Sequence, residues 1–236
     1  MIIDTNFNFY SDTPKGKDPD SFSPTLRKYH KLLWSKSLPG NKIFTLNDNR
    51  SNSYLYHKSE LGEFHLSSDS ITHTYSNVRN MSHIISQIPD KEIKDFYSLC
   101  STIGAYIIFP SNRIDNKMTI NGSRGLNKYI KDRFDLTLES IRRYYLGEDS
   151  PLLETLDRYS EFFSLFINFE NYLSFFLLQD IANNNSVNFF LPFDNFERSP
   201  LPNNVSEYEI YKNNVSNFVR QRNKRILSYV KVISSR

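Results

Sequence analysis

The stretch from Arg124 to Tyr145 limits the possible folds more than any other part of the sequence. Its apolar residues recur at helical spacing and form one stripe, which comprises Leu126, Ile130, Phe134, Leu138, Ile141 and Tyr145. Charged residues of both signs fill much of the remaining surface, namely Asp132, Arg133, Asp135, Glu139, Arg142 and Arg143. The pattern predicts one long helix that ends at Gly147. Such a helix is either an ordinary surface helix or the wall of a polar site.

Strand-like segments are confined to the first half of the chain. Alternating apolar and polar residues between 53 and 76, interrupted by turn formers, predict a meander of strands. From residue 121 onward the apolar periodicity is helical. A chain of 236 residues is long enough for one large domain. We therefore predict a single α+β domain over residues 1–236, in which a small antiparallel sheet from about 1–120 packs on a mainly helical part from about 121–236.

The single cysteine, Cys100, excludes an intramolecular disulfide and any site built from several cysteines. Because a chain without disulfides suits a reducing compartment, we expect a cytoplasmic protein. The N-terminus lacks the basic and apolar regions of a signal peptide, and no apolar run is long enough to cross a membrane. We therefore expect no membrane partner.

A candidate anion site is predicted where two polar segments would meet. Arg27 and His30 lie three residues apart on one helix face, after the acidic turn at 18–20. Arg124 lies where the central helix begins, and helix N-termini favour phosphate or carboxylate. The predicted anion-binding residues are Arg27, Arg124, Arg133 and Arg142, and the predicted catalytic residues are His30, Asp132, Asp135 and Glu139. The plain alternative is that Glu139 pairs with Arg142 and Arg143 along the helix.

The C-terminal segment carries charges of one sign. No acidic residue follows Glu209, whereas seven basic residues do. Four of them lie at helical spacing, namely Arg220, Arg222, Lys224 and Arg225. These residues could contact the phosphates of a nucleic acid, but the helix dipole also favours cations near a helix C-terminus. A capping box of Ser206 and Glu209 predicts the start of this helix.

Three functions remain open from these patterns. The first is an enzyme or toxin-like effector that acts on a nucleotide or nucleic acid at the predicted anion site. The second is a non-enzymatic module that binds nucleic acid or an acidic protein with its basic C-terminal helix. The third is an interaction subunit without chemistry of its own. Histidines at 57, 65 and 73 could meet on one sheet face, but we expect exposed strand residues and no metal site. The sequence specifies neither a cofactor nor an oligomeric state.

Three segments carry a resemblance to a known family. They are Asp18–Lys36, which contains DPDSFSPTLRKYHKLLWSK, Tyr56–Glu63, which reads YHKSELGE, and Asp132–Tyr145, which reads DRFDLTLESIRRYY. The chain resembles an uncharacterised family of bacterial proteins known only as a domain of unknown function. The likeness spans nearly the whole chain, which implies a single domain and an intracellular bacterial protein. It implies no catalytic residue.

Overall fold

The computed structural model describes residues 3–48 and 55–235. This part of the chain is α+β, with two small antiparallel sheets in the N-terminal half and a helical C-terminal half, which confirms the predicted fold class. The α-helices are α1 Pro19–Phe22, α2 Pro24–Trp34, α3 Ser82–Ile85, α4 Asp90–Leu99, α5 Ile120–Leu126, α6 Phe134–Leu146, α7 Leu153–Asp157, α8 Ser160–Ser164, α9 Phe169–Phe176 and α10 Val205–Ser234. The strands are β1 Lys36–Ser37, β2 Ile43–Phe44, β3 Asn47–Asp48, β4 Leu55–Ser59, β5 Gly62–Ser70 and β6 Tyr106–Pro110. Short 3-10 helices lie at Phe9–Ser11, Pro39–Asn41, Arg79–Met81 and Ile103–Ala105.

Strand β5 is the centre of the larger sheet, whose order is β3-β4-β5-β6 in the described residues. Its first half pairs with β4, up to Leu66 opposite Leu55. Its second half pairs with β6, from Leu66 opposite Pro110 to Ser70 opposite Tyr106. Helix α1 also packs against β5. This contact carries the acidic turn at 18–20 to the end of β5.

Helix α10 is held against the start of β6 by a close backbone approach. The Gly104 N–H donates to Asn223 Oδ1 at 2.8 Å. A Cβ at Gly104 would lie 2.7 Å from the Val219 carbonyl oxygen and 2.6 Å from that Asn223 oxygen. Only glycine therefore fits at this position. One hydrophobic cluster contains residues of both halves of the chain, and the single domain stays a prediction.

The predicted long helix from Arg124 is interrupted. Helix α5 ends at Leu126, and α6 begins at Phe134. Between them Lys131 and Asp132 have φ values of 44° and 61°, in the left-handed region that no helix interior allows. Leu126, predicted on the buried stripe, is consequently 65 % exposed. The predicted end is correct, because Gly147 closes α6 with φ 70°.

The capping box predicted for the last helix is wrong. Helix α10 begins at Val205, and its cap is Asn204, whose side chain accepts from the Glu207 N–H at 2.9 Å. The Glu207 carboxylate accepts from the Asn203 N–H at 2.9 Å, which satisfies another terminal amide. Asn caps as well as Ser does, so the helix starts two residues earlier than the Ser206 cap would allow.

Candidate functional site

His30, predicted to be catalytic, is a buried link in a chain of hydrogen bonds. Its Nδ1 accepts from Trp34 Nε1 at 2.9 Å. Because indole only donates, the neutral ring carries its proton on Nε2, which donates to Ser68 Oγ at 2.8 Å. Ser68 Oγ donates in turn to Asp20 Oδ1 at 3.1 Å. Burial, followed by the charge of Arg222, lowers the pKa of His30 to about 3. A general base needs a free lone pair, and the lone pair of His30 Nδ1 accepts the hydrogen bond from Trp34. His30 therefore positions Ser68 and does not act as a base.

Asp20, at the end of this chain, has no basic partner in the described part of the protein. It lies in α1, where Asp18 forms the cap by accepting from the Asp20 N–H at 3.0 Å. Burial raises the pKa of Asp20 well above its ordinary value, and the charges of Asp69 and Asp18 raise it further. Hydrogen bonds from Ser68 and Ser70 act in the opposite direction. A carboxyl group of this kind is a functional-site candidate.

Arg124, one of the predicted anion-binding residues, is fully buried. It forms an ion pair with Asp69, and its Nε donates to Thr137 Oγ1 at 3.0 Å. Its Nη2 donates to the Asp132 carbonyl at 3.4 Å. Burial raises the pKa of Asp69 to about 6, although Arg124 opposes the shift. The guanidinium is thus occupied by protein groups and compensates only part of the local negative charge.

His73 lies on the segment that follows β5. Its Nδ1 accepts from the Tyr75 N–H at 2.9 Å, so the neutral ring carries its proton on Nε2. Burial lowers the pKa of His73, while the charge of Asp132 opposes this shift and that of Arg124 adds to it. A neutral His73 adds no positive charge to its surroundings.

These groups border a cavity of ≈ 220 Å³, called the acidic cleft below. Its lining includes Tyr10, Asp18 and Asp20 from the N-terminal segment, Thr72 and His73 after β5, and Tyr97 and Cys100 from the end of α4. The rings of Tyr10 and Tyr97 lie 5.3 Å apart and are 43 % and 38 % exposed. Thr72 Oγ1 is buried and has no hydrogen-bond partner among the described residues. The cleft thus combines carboxylates, accessible aromatic rings and an unused hydroxyl group.

Arg133 is one of the predicted anion-binding residues, and Asp135 is one of the predicted catalytic residues. The two form a buried ion pair with each other. Arg133 Nη1 also donates to the Pro200 carbonyl at 3.2 Å. Asp135 Oδ2 accepts from the Phe190 N–H at 2.8 Å. The hydrogen bonds of the pair are made to other protein groups, so the pair joins α6 to the segment at 190–200. Neither side chain is available to bind a substrate.

Glu139 pairs with Arg142 and Arg143 along α6, as the alternative interpretation of the sequence predicts. It accepts from Arg142 at 2.8 and 2.9 Å and from Arg143 at 2.8 Å. Burial alone would raise the pKa of Glu139, but the two arginines outweigh it and hold the pKa below its ordinary value. Arg27 pairs with Asp48 at 2.9 Å. The four arginines predicted to share an anion therefore each bind a different carboxylate.

The basic residues of α10 do not form one face. Arg222 is buried and donates to the carbonyls of Gly104 and Phe176, both at 3.0 Å. Arg225 is bidentate to Asp180, with both distances 2.7 Å. Only Arg220 and Lys224 of the predicted nucleic-acid contacts are exposed. Nucleic-acid binding by this helix stays a prediction, and Arg222 is unavailable for it.

A family model described as "Family of unknown function (DUF6994)" matches residues 3–226. The chain belongs to the DUF6994 family. Comparisons with curated proteins and with solved structures return no significant match. The predicted resemblance to a family of unknown function is confirmed, and the function of this DUF6994 member has to be argued from its own geometry.

In residues 3–48 and 55–235 of this DUF6994 protein, no group of three or more His, Cys, Asp or Glu side chains is arranged to hold a metal ion. No helix in the same ranges has the length and apolarity needed to span a membrane.

Proposed function

We propose that the acidic cleft binds a small organic cation, such as a primary ammonium ion. The observation that carries the proposal is that Asp18 and Asp20 line the cavity without a lysine or arginine partner in the described part of the chain. Asp18 is exposed, but Asp20 is partly buried, and an unpaired carboxylate that is partly desolvated is costly. A bound cation would lower that cost.

The electrostatics of the surroundings favour a positive ligand. Asp18, Asp69 and Asp132 all act on neighbouring groups as negative charges, and Arg124 is the compensating cation. The repulsion among these acids contributes to the raised pKa of Asp20. A phosphate would have to approach the same carboxylates, so this cleft does not support the nucleotide expectation. An ammonium ion would relieve the repulsion.

The walls of the cleft suit an ammonium group in two further ways. The faces of Tyr10 and Tyr97 are accessible, and an aromatic face attracts a cation by about 0.5–2 kcal/mol. The unpartnered Thr72 hydroxyl and the carboxylate oxygens can accept N–H donors. With a volume of ≈ 220 Å³ the cavity is smaller than the about 300–1,000 Å³ of most ligand pockets, so the proposed ligand is small.

Asp20 is the residue of the cleft that would transfer a proton. Its raised pKa brings its titration closer to neutrality, which is what acid–base catalysis requires. The chain through Ser68 to His30 holds the carboxyl group in place. Enzymatic activity stays a prediction, and the charges of the cleft support the proposed cation binding without requiring it.

Calorimetric titration with putrescine and tyramine tests the proposal, with butane-1,4-diol as the neutral analogue and AMP as the phosphate probe. We expect the amines to bind, and we expect Asp20→Asn to weaken them by roughly tenfold or more, because a charged partner is lost while the shape is kept. Asp194→Asn is the matched control, since Asp194 is 84 % exposed and lies outside the cleft lining. Binding of AMP without binding of either amine would contradict the proposal.

A further inference from the structure

Lys36 has an unusual environment at the opposite end of α2. Its Nζ lies 5.2 Å from the ring centroid of Trp34, 4.6 Å from that of Phe175 and 4.7 Å from that of Tyr229. No carboxylate in the described residues pairs with it. Three rings stabilise an ammonium ion, but they do not neutralise its charge.

A second cation shares the same indole ring. Arg222 Cζ lies 5.8 Å from the Trp34 centroid. Its donors go to backbone carbonyls, and its Nε has no hydrogen-bond partner. The nearby carboxylate of Asp180 is taken by Arg225. Burial and the charge of Arg222 lower the pKa of Lys36 to about 7. The two cations therefore repel each other, and Asp180, the carboxylate that acts on Arg222, is already paired with Arg225.

A groove of ≈ 730 Å³, lined by apolar and polar residues, opens beside Lys36. Leu38 and Ile43 line it from the β1–β2 ribbon, and Val232 and Ile233 line it from the end of α10. Ile43 is 58 % exposed and Val232 is 52 % exposed. None of the described residues that line the groove is acidic. Its chemistry is thus a cation at one end of an exposed apolar surface.

We propose that this groove binds a monocarboxylic acid with an alkyl chain, whose carboxylate pairs with Lys36 while the chain covers Ile43, Val232 and Ile233. The carboxylate supplies the negative charge that Lys36 and Arg222 lack, and the chain removes apolar surface from water. Charge complementarity thus selects an anionic amphiphile over a neutral one. This site is separate from the acidic cleft and does not depend on the function proposed there.

The pairing predicts a direction for the pH dependence. The groups that face this end of the groove are Lys36, Arg222 and Tyr229, with the Asp180–Arg225 pair beyond Arg222. An aliphatic carboxylate is ionised above about pH 6. Lys36 is protonated below about 7 and loses its proton above that pH, unless the carboxylate retains it. The affinity therefore falls as the pH rises from 6 to 9.

Fluorescence of Trp34, which is the only tryptophan of the chain, reports binding at this place. The probes are decanoate and decanol, both below their aggregation concentrations, at pH 6 and 9. We expect decanoate to bind at pH 6, and Lys36→Met to weaken it roughly 10- to 100-fold without changing decanol binding. Lys36→Arg is expected to retain most of the affinity. Lys42→Met, a change at an exposed lysine of the same ribbon, is expected to have no effect.

The proposal is overturned if decanoate does not bind, or if it binds no more tightly than decanol. An equal loss for both probes in Lys36→Met would also overturn it, because the carboxylate would then not be the group recognised. If Lys36→Met does not fold, the wild-type pH series decides. Equal decanoate affinity at pH 6 and pH 9 then rejects the ion pair, and a fall supports it.

Discussion

Two kinds of buried charge occur side by side in this protein. Arg133 and Asp135 neutralise each other and are saturated with hydrogen bonds. Asp20 and Lys36 are also partly or fully shielded from water, but they have no partner of opposite sign among the described residues. Compensated pairs specify the fold, whereas an uncompensated charge in a cavity marks a place where a ligand would improve the electrostatics.

Asp135→Asn tests the structural role of the compensated pair. The change leaves the Arg133 guanidinium buried without a counter-charge, so we expect the free energy of unfolding to fall by about 3–5 kcal/mol. Urea denaturation followed by Trp34 fluorescence measures it. Asp48→Asn is the control, because Asp48 is 51 % exposed and its pairs with Arg27 and Lys31 are worth less than about 1 kcal/mol. Equal losses in the two variants would contradict the assignment.

His30→Gln tests the neutral state of the buried histidine. The folded pKa of about 3 lies below the ordinary value of 6.5, so His30 contributes stability that is complete above pH 6.5 and is lost as the pH falls towards 3. Between those limits the wild-type free energy of unfolding should fall by about 1.4 kcal/mol per pH unit more than that of His30→Gln. The Asp69 contribution has the opposite sign but is common to both proteins. Parallel pH curves would show that folding does not lower the pKa of His30.

At the scale of elements, the sequence predicts what depends on local pattern. Helix α2 begins at Pro24 after its Ser23 cap, and Gly147 ends α6, because caps and glycine act within one turn. The interruption at Lys131 and Asp132 was missed because the apolar stripe continues across it. There the Tyr75 hydroxyl donates to the Lys131 carbonyl at 2.8 Å, a contact between residues 56 positions apart. No local pattern indicates such a contact.

The docking of α10 on Gly104 gives a prediction at this scale. Gly104→Ala places a methyl group within 2.7 Å of the Val219 carbonyl, so the helix must shift, and we expect a loss of about 1–3 kcal/mol or more. Gly122→Ala is the matched control within α5, where the nearest atom lies 3.6 Å away. Alanine should stabilise that helix by about 0.4–1 kcal/mol. Urea denaturation measures whether the free energy of unfolding falls in Gly104→Ala and rises in Gly122→Ala. An unchanged free energy of unfolding in Gly104→Ala would contradict the close approach.

At the scale of the whole molecule, the sequence predicts that the polar segments meet but not what they do there. The His30 helix and the Arg124 helix do converge, because His30 contacts Ser68 and Arg124 contacts its neighbour Asp69 on β5. The predicted anion site does not form, because each of its arginines pairs with a carboxylate. Sequence spacing indicates the Glu139–Arg142 pair, whereas the partners of Arg27 and Arg124 lie far away along the chain. The sequence indicates the acidic turn at 18–20, and it indicates His73 only as one of three evenly spaced histidines. Asp69 gives no signal, because only the fold places it beside that turn.

The central claim is that the acidic cleft is built for a cation, and proton release on binding tests it most directly. An ammonium ion near Asp20 favours the ionised form of the carboxyl group. The raised pKa of Asp20 should therefore fall when a cation binds in the cleft. Calorimetry with putrescine at pH 6, in two buffers of different ionisation enthalpy, counts the protons exchanged. We predict net release that is reduced in Asp20→Asn. Absence of binding, or proton uptake on binding, would contradict the account.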